Sequence, residues 1–159
     1  MSTSGRLALE LKNRIDRELP QLEALSEEVA SSRPKEGGWS PKEELGHLID
    51  SAVNNHARFV IAAIGPEMRG PGYAQDEWVR LHGYWETPWK RIVAWWYAHN
   101  EVLTEVIARI PEDRLSSRCH IGNYPANTLQ FVVEDYGVHL QRHLDHLLSR
   151  PVVTRYPQA

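Results

Sequence analysis

The chain has 159 residues, of which 42% are hydrophobic and 25% charged, which is typical of a globular protein with one core. A formal net charge of −3 and the lack of a basic stripe argue against nucleic-acid binding. No apolar run approaches membrane-spanning length, no signal peptide is recognisable, and the single cysteine, Cys119, excludes an intrachain disulfide. We therefore expect one cytoplasmic domain over residues 1–159.

The first predicted helix covers about residues 5–30, where leucine, isoleucine and valine recur near helical spacing. Pro20 lies inside this helix and should kink or divide it, because proline removes a backbone donor and clashes with the preceding turn. The linker 31–39 contains one proline and two glycines and ends the element.

The second predicted helix has a strong start signal. Ser40 is a capping residue, Pro41 suits the first helical position, and Glu43 completes a capping box with Ser40. The helix should continue to about Ile64, because Gly65 and a proline follow.

Residues 65–86 are rich in glycine and proline and form the least regular stretch, with a short helix predicted at about 74–81. Thr87 and Pro88 repeat the combination of cap and proline and open a third helix. This helix should last to about Arg109, where another proline follows.

Residues 111–126 are predicted to be a loop, with a small hairpin near Gly122. Either Asn127 or Thr128 caps a fourth helix that runs to about Ser149. Four long helices with two extended connections predict an all-α fold, a four-helix bundle.

Eight histidines are many for this length, and His139 and His143 lie four apart in the fourth helix. That spacing places both imidazoles on one helix face, where they can bind one ion. They flank the apolar stripe of the helix, and imidazoles in such a setting need partners for their nitrogens. The alternative is one hydrogen-bonded core histidine beside a solvated one, since such pairs also arise by chance.

Two neighbours complicate this pair. Asp135 lies one turn before His139 on the same face, and it could orient the imidazole, act as a ligand or remain an exposed acid. His146 is a rival ligand three residues after His143. It lies two turns from His139, however, so the three histidines could not share one ion.

A third ligand has to come from another helix, and the second helix offers two. His56 lies on its apolar stripe, so periodicity alone favours His56. His47 lies among polar residues, so a site at an open, polar end of the bundle favours His47 instead.

Two segments carry a recognisable pattern. Residues 38–51 have the sequence GWSPKEELGHLIDS and residues 129–144 the sequence LQFVVEDYGVHLQRHL. They resemble the DinB/YfiT-like family of metal-dependent enzymes, with its Trp-Ser/Thr-Pro helix start, a histidine followed by an apolar residue, and HxxxH on the last long helix. The resemblance extends in helix order from Trp39 to about Leu148.

The resemblance implies a bundle with up-down-down-up topology and selects His47, with His139 and His143, as the ligands of one divalent metal. It implies zinc or nickel before iron or manganese, and a homodimer. His56 and His146 remain the residues that could replace an assigned ligand.

Three imidazoles leave coordination positions open, which is typical of a catalytic site and not of a structural one. We expect a small-molecule substrate and one of two chemistries, metal-assisted hydrolysis or the transfer of a thiol to an electrophile. The second class follows from the resemblance, which includes bacillithiol transferases and mycothiol-dependent maleylpyruvate isomerases, and it requires a low-molecular-weight thiol as cosubstrate.

Asp50 and Asp135 are the candidate catalytic bases, since each lies near a ligand in sequence. Aromatic residues of the irregular segments could wall a pocket: Trp39, Tyr73, Trp78, Trp85 and Tyr124. The alternative to an enzyme is a non-catalytic helical dimer, associated with a stress response, that binds a metal or a small ligand. A dimerisation domain without metal is a further alternative.

Overall fold

The computed structural model describes residues 1–158, and four long helices dominate it, as the sequence predicts. They are α1 (Thr3–Glu23), α3 (Pro41–Ile64), α5 (Trp89–Ala108) and α6 (Leu129–Leu147). Two short helices, α2 (Glu27–Ala30) and α4 (Gln75–His82), and two 3-10 turns, Tyr84–Glu86 and Glu112–Arg114, lie in the connections.

Contacts between α1 and α5 show that these two helices are antiparallel. Trp89, at the start of α5, donates from Nε1 to the carbonyl of Leu22 near the end of α1 (2.8 Å). Further along α5, the Tyr97 hydroxyl donates to Asp16 (2.8 Å), which lies earlier in α1.

The other two pairs complete the topology. At the start of α3, Glu44 lies 2.8 Å from His146 near the end of α6, so these helices are antiparallel. Lys42, near the start of α3, contacts the carbonyl of Trp85, which lies just before α5. Fourteen residues after each of these, His56 of α3 contacts His99 of α5, so the two helices are parallel. The predicted up-down-down-up order is confirmed.

Apolar side chains from all four long helices fill the centre of the bundle. The following are fully buried: Ile15, Leu22, Leu45, Leu48, Ile49, Phe59, Ile92, Trp96, Leu103, Ile107, Leu140 and Leu144. Because burying each such side chain stabilises the fold by about 1.5–3 kcal/mol, the helices have a core that is independent of any ligand.

The helix starts test the predicted caps. Ser40 and Glu43 form both halves of the capping box at α3, and Thr128 caps α6 by accepting from the Phe131 N–H (3.1 Å). Thr87, predicted to cap the third long helix, does not: its hydroxyl donates to the carbonyl of Gly83 (3.1 Å).

Glu27 provides a hydrogen-bond acceptor at the start of α5 instead, because its carboxylate accepts from the Trp89 N–H (2.9 Å).

The first predicted helix is indeed divided, but after Glu23 and not at Pro20, which is tolerated in the last turn of α1. A new N-cap, Ser26, then starts α2.

A three-stranded sheet joins the two long connections. The strands β2 (Arg118–Ile121) and β3 (Asn127–Thr128) pair antiparallel and form the hairpin predicted near Gly122. Strand β1 (Glu67–Gly70), which was not predicted, pairs parallel to β2, with Met68 opposite Cys119. The sheet therefore holds the connection after α3 against the connection before α6.

Within residues 1–158, no helix combines the length and apolar character that crossing a lipid bilayer requires.

Candidate metal centre

His47 lies in the second turn of α3, where only 1% of its surface is exposed. The capping box fixes the start of this helix, and Trp39, just before the cap, packs its ring 4.9 Å from the imidazole. Nδ1 of His47 is buried and has no hydrogen-bond partner among the described residues. Packing, and not a hydrogen bond to Nδ1, therefore holds this ring in place.

The three histidines selected from the sequence come together. His47 Nε2 lies 3.2 Å from His139 Nε2, and the ring of His143 lies 4.7 Å from that of His47 and 4.5 Å from that of His139. One potential ligand atom from each residue lies within 4.8 Å of the others.

A divalent ion fits this donor set. Two nitrogens that each lie about 2.1 Å from a tetrahedral ion are about 3.4 Å apart, close to the separation of the two Nε2 atoms. Without an ion, that contact needs a proton on one of the two nitrogens, since two lone pairs repel. The set is all-nitrogen, which suits zinc and nickel among other divalent metals.

Burial keeps two of these imidazoles neutral. Removal from water, reinforced by the neighbouring His143, lowers the pKa of His47 to about 4. The same burial, with His143 and then His47 nearby, lowers the pKa of His139 to about 3. Metal ligation requires the neutral ring, so both residues are in the ligating form at neutral pH.

Glu44 is a functional candidate that the sequence analysis missed. Its carboxylate is buried and accepts from Nδ1 of His143 (3.0 Å) and Nδ1 of His146 (2.8 Å). A carboxylate on Nδ1 leaves Nε2 of His143 free for a metal and fixes the orientation of the ring. Glu44 lies three residues before His47, a spacing that places both on one face of α3.

Asp50 belongs to a separate buried group behind His47. It is fully buried, and Oδ1 accepts from the Tyr84 hydroxyl (2.7 Å) and lies 2.9 Å from Nδ1 of His82. Burial is the main cause that raises the pKa of its carboxyl group. The ring of Tyr84 packs directly on Gly46, where a Cβ atom would lie 2.1 Å from Cδ2 of the tyrosine.

Asp135 has a different environment. It lines a cavity of about 570 Å³ together with His139, one turn further along α6. The cavity lies between α3, α6 and the two connections. Burial raises the pKa of Asp135, and its carboxylate makes no hydrogen bond to another described residue, His139 included.

The two alternative ligands lie outside the cluster. His56 pairs with His99 of α5, with Nδ1 and Nε2 3.2 Å apart. His146 is largely exposed and contacts only the carboxylate of Glu44. His47, and not His56, therefore lies in the cluster with His139 and His143, although the apolar stripe of α3 contains His56.

The aromatic residues expected around a pocket do not all line the cavity. Tyr73 and Tyr124 line the cavity, and Trp78 packs on Tyr73 from behind with ring centroids 5.4 Å apart. Trp39 covers the first histidine and not the cavity, while Trp85 lies against an exposed arginine.

Comparison with known proteins identifies the family and the fold. The family model of the DinB superfamily matches residues 10–147. The chain belongs to the DinB superfamily. This DinB protein is also similar in structure to YfiT from Bacillus subtilis, described as a probable metal-dependent hydrolase with an unusual four-helix bundle topology. The TM-score is 0.82 at 17% sequence identity, over 94% of this chain and 87% of YfiT. No curated protein matched it significantly in sequence.

Proposed function

We propose that this protein is a metal-dependent enzyme, and specifically a hydrolase of a small molecule, in which His47, His139 and His143 hold one divalent ion. The observation that carries the proposal is the 3.2 Å approach of His47, which is buried, and His139, which is partly buried, beside His143 at the edge of a cavity. The description of YfiT as a probable metal-dependent hydrolase supports the choice of reaction.

When bound, a divalent ion supplies a Lewis acid that polarises a substrate oxygen and acidifies water. We assign proton transfer to Asp135. It is half-buried, it shares the cavity with His139, and no described residue occupies its carboxylate oxygens, so they are free to accept a proton. A carboxyl group whose pKa is raised by burial is a better base than an ordinary carboxylate.

Asp50 was the second candidate base, and we propose a positioning role for it. Its side chain is fully buried, and Tyr84 and His82 already contact Oδ1. Through Tyr84, which packs on Gly46, Asp50 holds the backbone next to His47.

Thiol transfer is the second reaction class, and it requires a thiol from outside the chain. Burial raises the pKa of Cys119, the single cysteine, to about 11, so its thiol is a poor nucleophile at neutral pH. A low-molecular-weight thiol would then be a cosubstrate in the same cavity.

Metal content of protein purified without a histidine tag tests the centre first. We expect one divalent ion per chain in the wild type and in His56→Ala, and a loss of at least tenfold in His143→Ala, with unchanged far-UV circular dichroism. Absence of metal in the wild type, or loss in His56→Ala with retention in His47→Ala, contradicts the assignment.

Activity is then measured on protein loaded with zinc or nickel, using esters and amides in one panel and thiols with chlorinated electrophiles in another. Hydrolysis that falls at least a hundredfold in Asp135→Asn, with metal retained, supports the proposal. Turnover only with a thiol favours the transferase. A stoichiometric ion with no turnover in either panel favours the non-catalytic binding protein.

We also propose that the protein acts as a homodimer, as the family resemblance implies, and that it works in the cytoplasm, as expected from its sequence. Light scattering coupled to size-exclusion chromatography tests the dimer, because a mass of one chain at micromolar concentration contradicts it.

A further inference from the structure

Arg58 is a cation without an acidic partner. It lies on α3, is half-buried and lines the same cavity as His139 and Asp135. Its guanidinium donates to the carbonyl of Pro71 (3.1 Å) and has a long contact to the Asn55 side chain (3.5 Å). No carboxylate among residues 1–158 forms an ion pair with it.

The environment of Arg58 makes this lack of a partner costly. Burial lowers the pKa of its guanidinium, opposed by Tyr73, whose ring centroid lies 6.0 Å from the guanidinium carbon, and by Cys119. A partly desolvated cation is stable when an anion neutralises it, and a guanidinium presents several N–H groups in one plane to such an anion. The two hydrogen bonds and the contact with the Tyr73 ring leave several of those N–H groups available to an anionic ligand.

The position of Arg58 relative to the metal centre defines the length of such a ligand. Arg58 is eleven residues after His47, which is close to three full turns, so both side chains project from nearly the same face of α3. The rise between them is about 16 Å, and an arginine side chain reaches back over part of it. Both His139 and Arg58 line the cavity, so a single ligand within it can lie near each of them.

The rest of the lining selects the kind of anion. Besides histidine, only Arg58 and Asp135 are charged there. Arg58 carries one positive charge, which matches the single negative charge of a carboxylate better than the double charge of a phosphate. Most of the other lining residues are aromatic or apolar, including Tyr73, Tyr124, Phe131, Val132 and Tyr136, and a few are uncharged polar residues such as Ser51 and Asn127.

We infer that Arg58 binds the carboxylate of a small substrate with an aromatic or apolar body, and thereby directs its opposite end to the metal centre. This inference rests on the proposed function, since it takes the cavity to be the substrate site. If Arg58 only held the connection in place through its hydrogen bond to Pro71, the cavity would show no preference for an acid over its neutral amide.

The test is a titration, followed by NMR or calorimetry, with three acids of increasing length and their neutral amides. The probes are benzoate, 3-phenylpropionate and 4-phenylbutyrate with benzamide, 3-phenylpropionamide and 4-phenylbutyramide. We expect the metal-loaded wild type to bind at least one acid ten times more tightly than its amide, and Arg58→Gln to lose that difference. Equal binding of acid and amide in all three pairs overturns the inference.

Two arginine variants test whether the charge and shape of the Arg58 side chain cause the preference for the acid over its amide. Arg69→Gln, on β1, removes the same charge from an exposed residue that is already paired with Glu67, and should keep the preference. Arg58→Lys should keep part of it, because the charge remains without the planar group. Circular dichroism checks that each variant is folded.

His143→Ala separates this inference from the metal proposal. If Arg58 binds the carboxylate, the acid preference persists in His143→Ala, even if the protein proves to contain no metal. If the preference disappears in His143→Ala but persists in Arg58→Gln, the carboxylate binds at the histidines and the inference is wrong.

Discussion

Glu44 orients His143 through a single hydrogen bond, so its contribution to the centre can be measured. We expect Glu44→Gln to weaken metal affinity by about tenfold or more, since a neutral acceptor holds the Nδ1 proton less strongly. Competition with a chromophoric chelator measures the affinity.

His146→Ala is the matched control, because it removes the other partner of Glu44 and leaves the bond to His143. Its affinity should equal that of the wild type. Unchanged affinity in Glu44→Gln would mean that the ring of His143 is oriented by packing alone.

Cys119 gives a pH-dependent prediction. Burial raises the pKa of its thiol to about 11, mainly by destabilising the thiolate. The alkylation rate by iodoacetamide should therefore rise about tenfold per pH unit from pH 7 to 10, without the plateau that an ordinary thiol shows above its pKa of about 8.5. Mass spectrometry of samples quenched at intervals measures the rate.

Urea-unfolded protein is the control, since its exposed thiol should level off near the ordinary pKa. A plateau below pH 9 in the folded protein would show that the thiol is more accessible than its burial indicates.

The sequence predicts some residues of the histidine cluster and its surroundings better than others. The spacing of His139 and His143 predicts that they share a face, because four residues make about one helical turn. Periodicity alone favoured His56, because His56 lies on the apolar stripe of its helix, and the family pattern selected His47 instead. Glu44 was hidden because an acid in the first turn of a helix is ordinary, and only the fold buries it.

The contact between α3 and Tyr84 illustrates the scale of elements. Gly46→Ala should destabilise the protein by about 1–3 kcal/mol, because the added methyl group overlaps the tyrosine ring and forces a shift beside His47. Chemical denaturation measures the loss, and metal affinity should fall with it.

Gly137→Ala, in α6, is the matched control. There a Cβ atom would lie 3.4 Å from the Arg14 guanidinium, a flexible group, and alanine favours helix by about 1 kcal/mol over glycine. This variant should be as stable as the wild type or more so. Equal effects of the two substitutions would show that helix propensity, and not contact with Tyr84, decides the result.

Sequence patterns predicted the helix ends correctly where the residues that form the hydrogen bonds of the cap are close in sequence. Ser40 and Glu43 cap α3 as expected because the capping box involves only one turn. Thr87 does not cap α5, because its hydroxyl donates to the carbonyl of Gly83 instead. The first N–H of α5 is bound by Glu27, a residue distant in sequence. The pairing of β1 with β2 joins strands about fifty residues apart, and four-residue strands carry too little pattern to reveal it.

At the scale of the whole molecule, the bundle should not depend on its metal. The core is built from side chains of all four long helices, so removing the ion with EDTA should leave helicity unchanged, unlike in a zinc finger. Stability should still fall, by about 2.7 kcal/mol if free metal had been a hundred times its dissociation constant. That is about 5–10 °C in Tm for a chain of this size.

Thermal unfolding with and without EDTA checks this prediction. His143→Ala is the control, since its Tm should not respond to the chelator. Loss of helical structure on chelation would instead show that the ion contributes the folding energy itself.

The cavity wall has two parts with different origins. His139, Asp135 and Arg58 belong to the long helices, whereas Tyr73 and Tyr124 come from the connections that the small sheet fastens together. Those connections also contribute buried residues to the core, including Met68, Val79 and Cys119, whereas Tyr124 is 76% exposed. A substitution at Tyr124, natural or engineered, would therefore change which molecules fit the cavity while the core and the three clustered imidazoles stay in place.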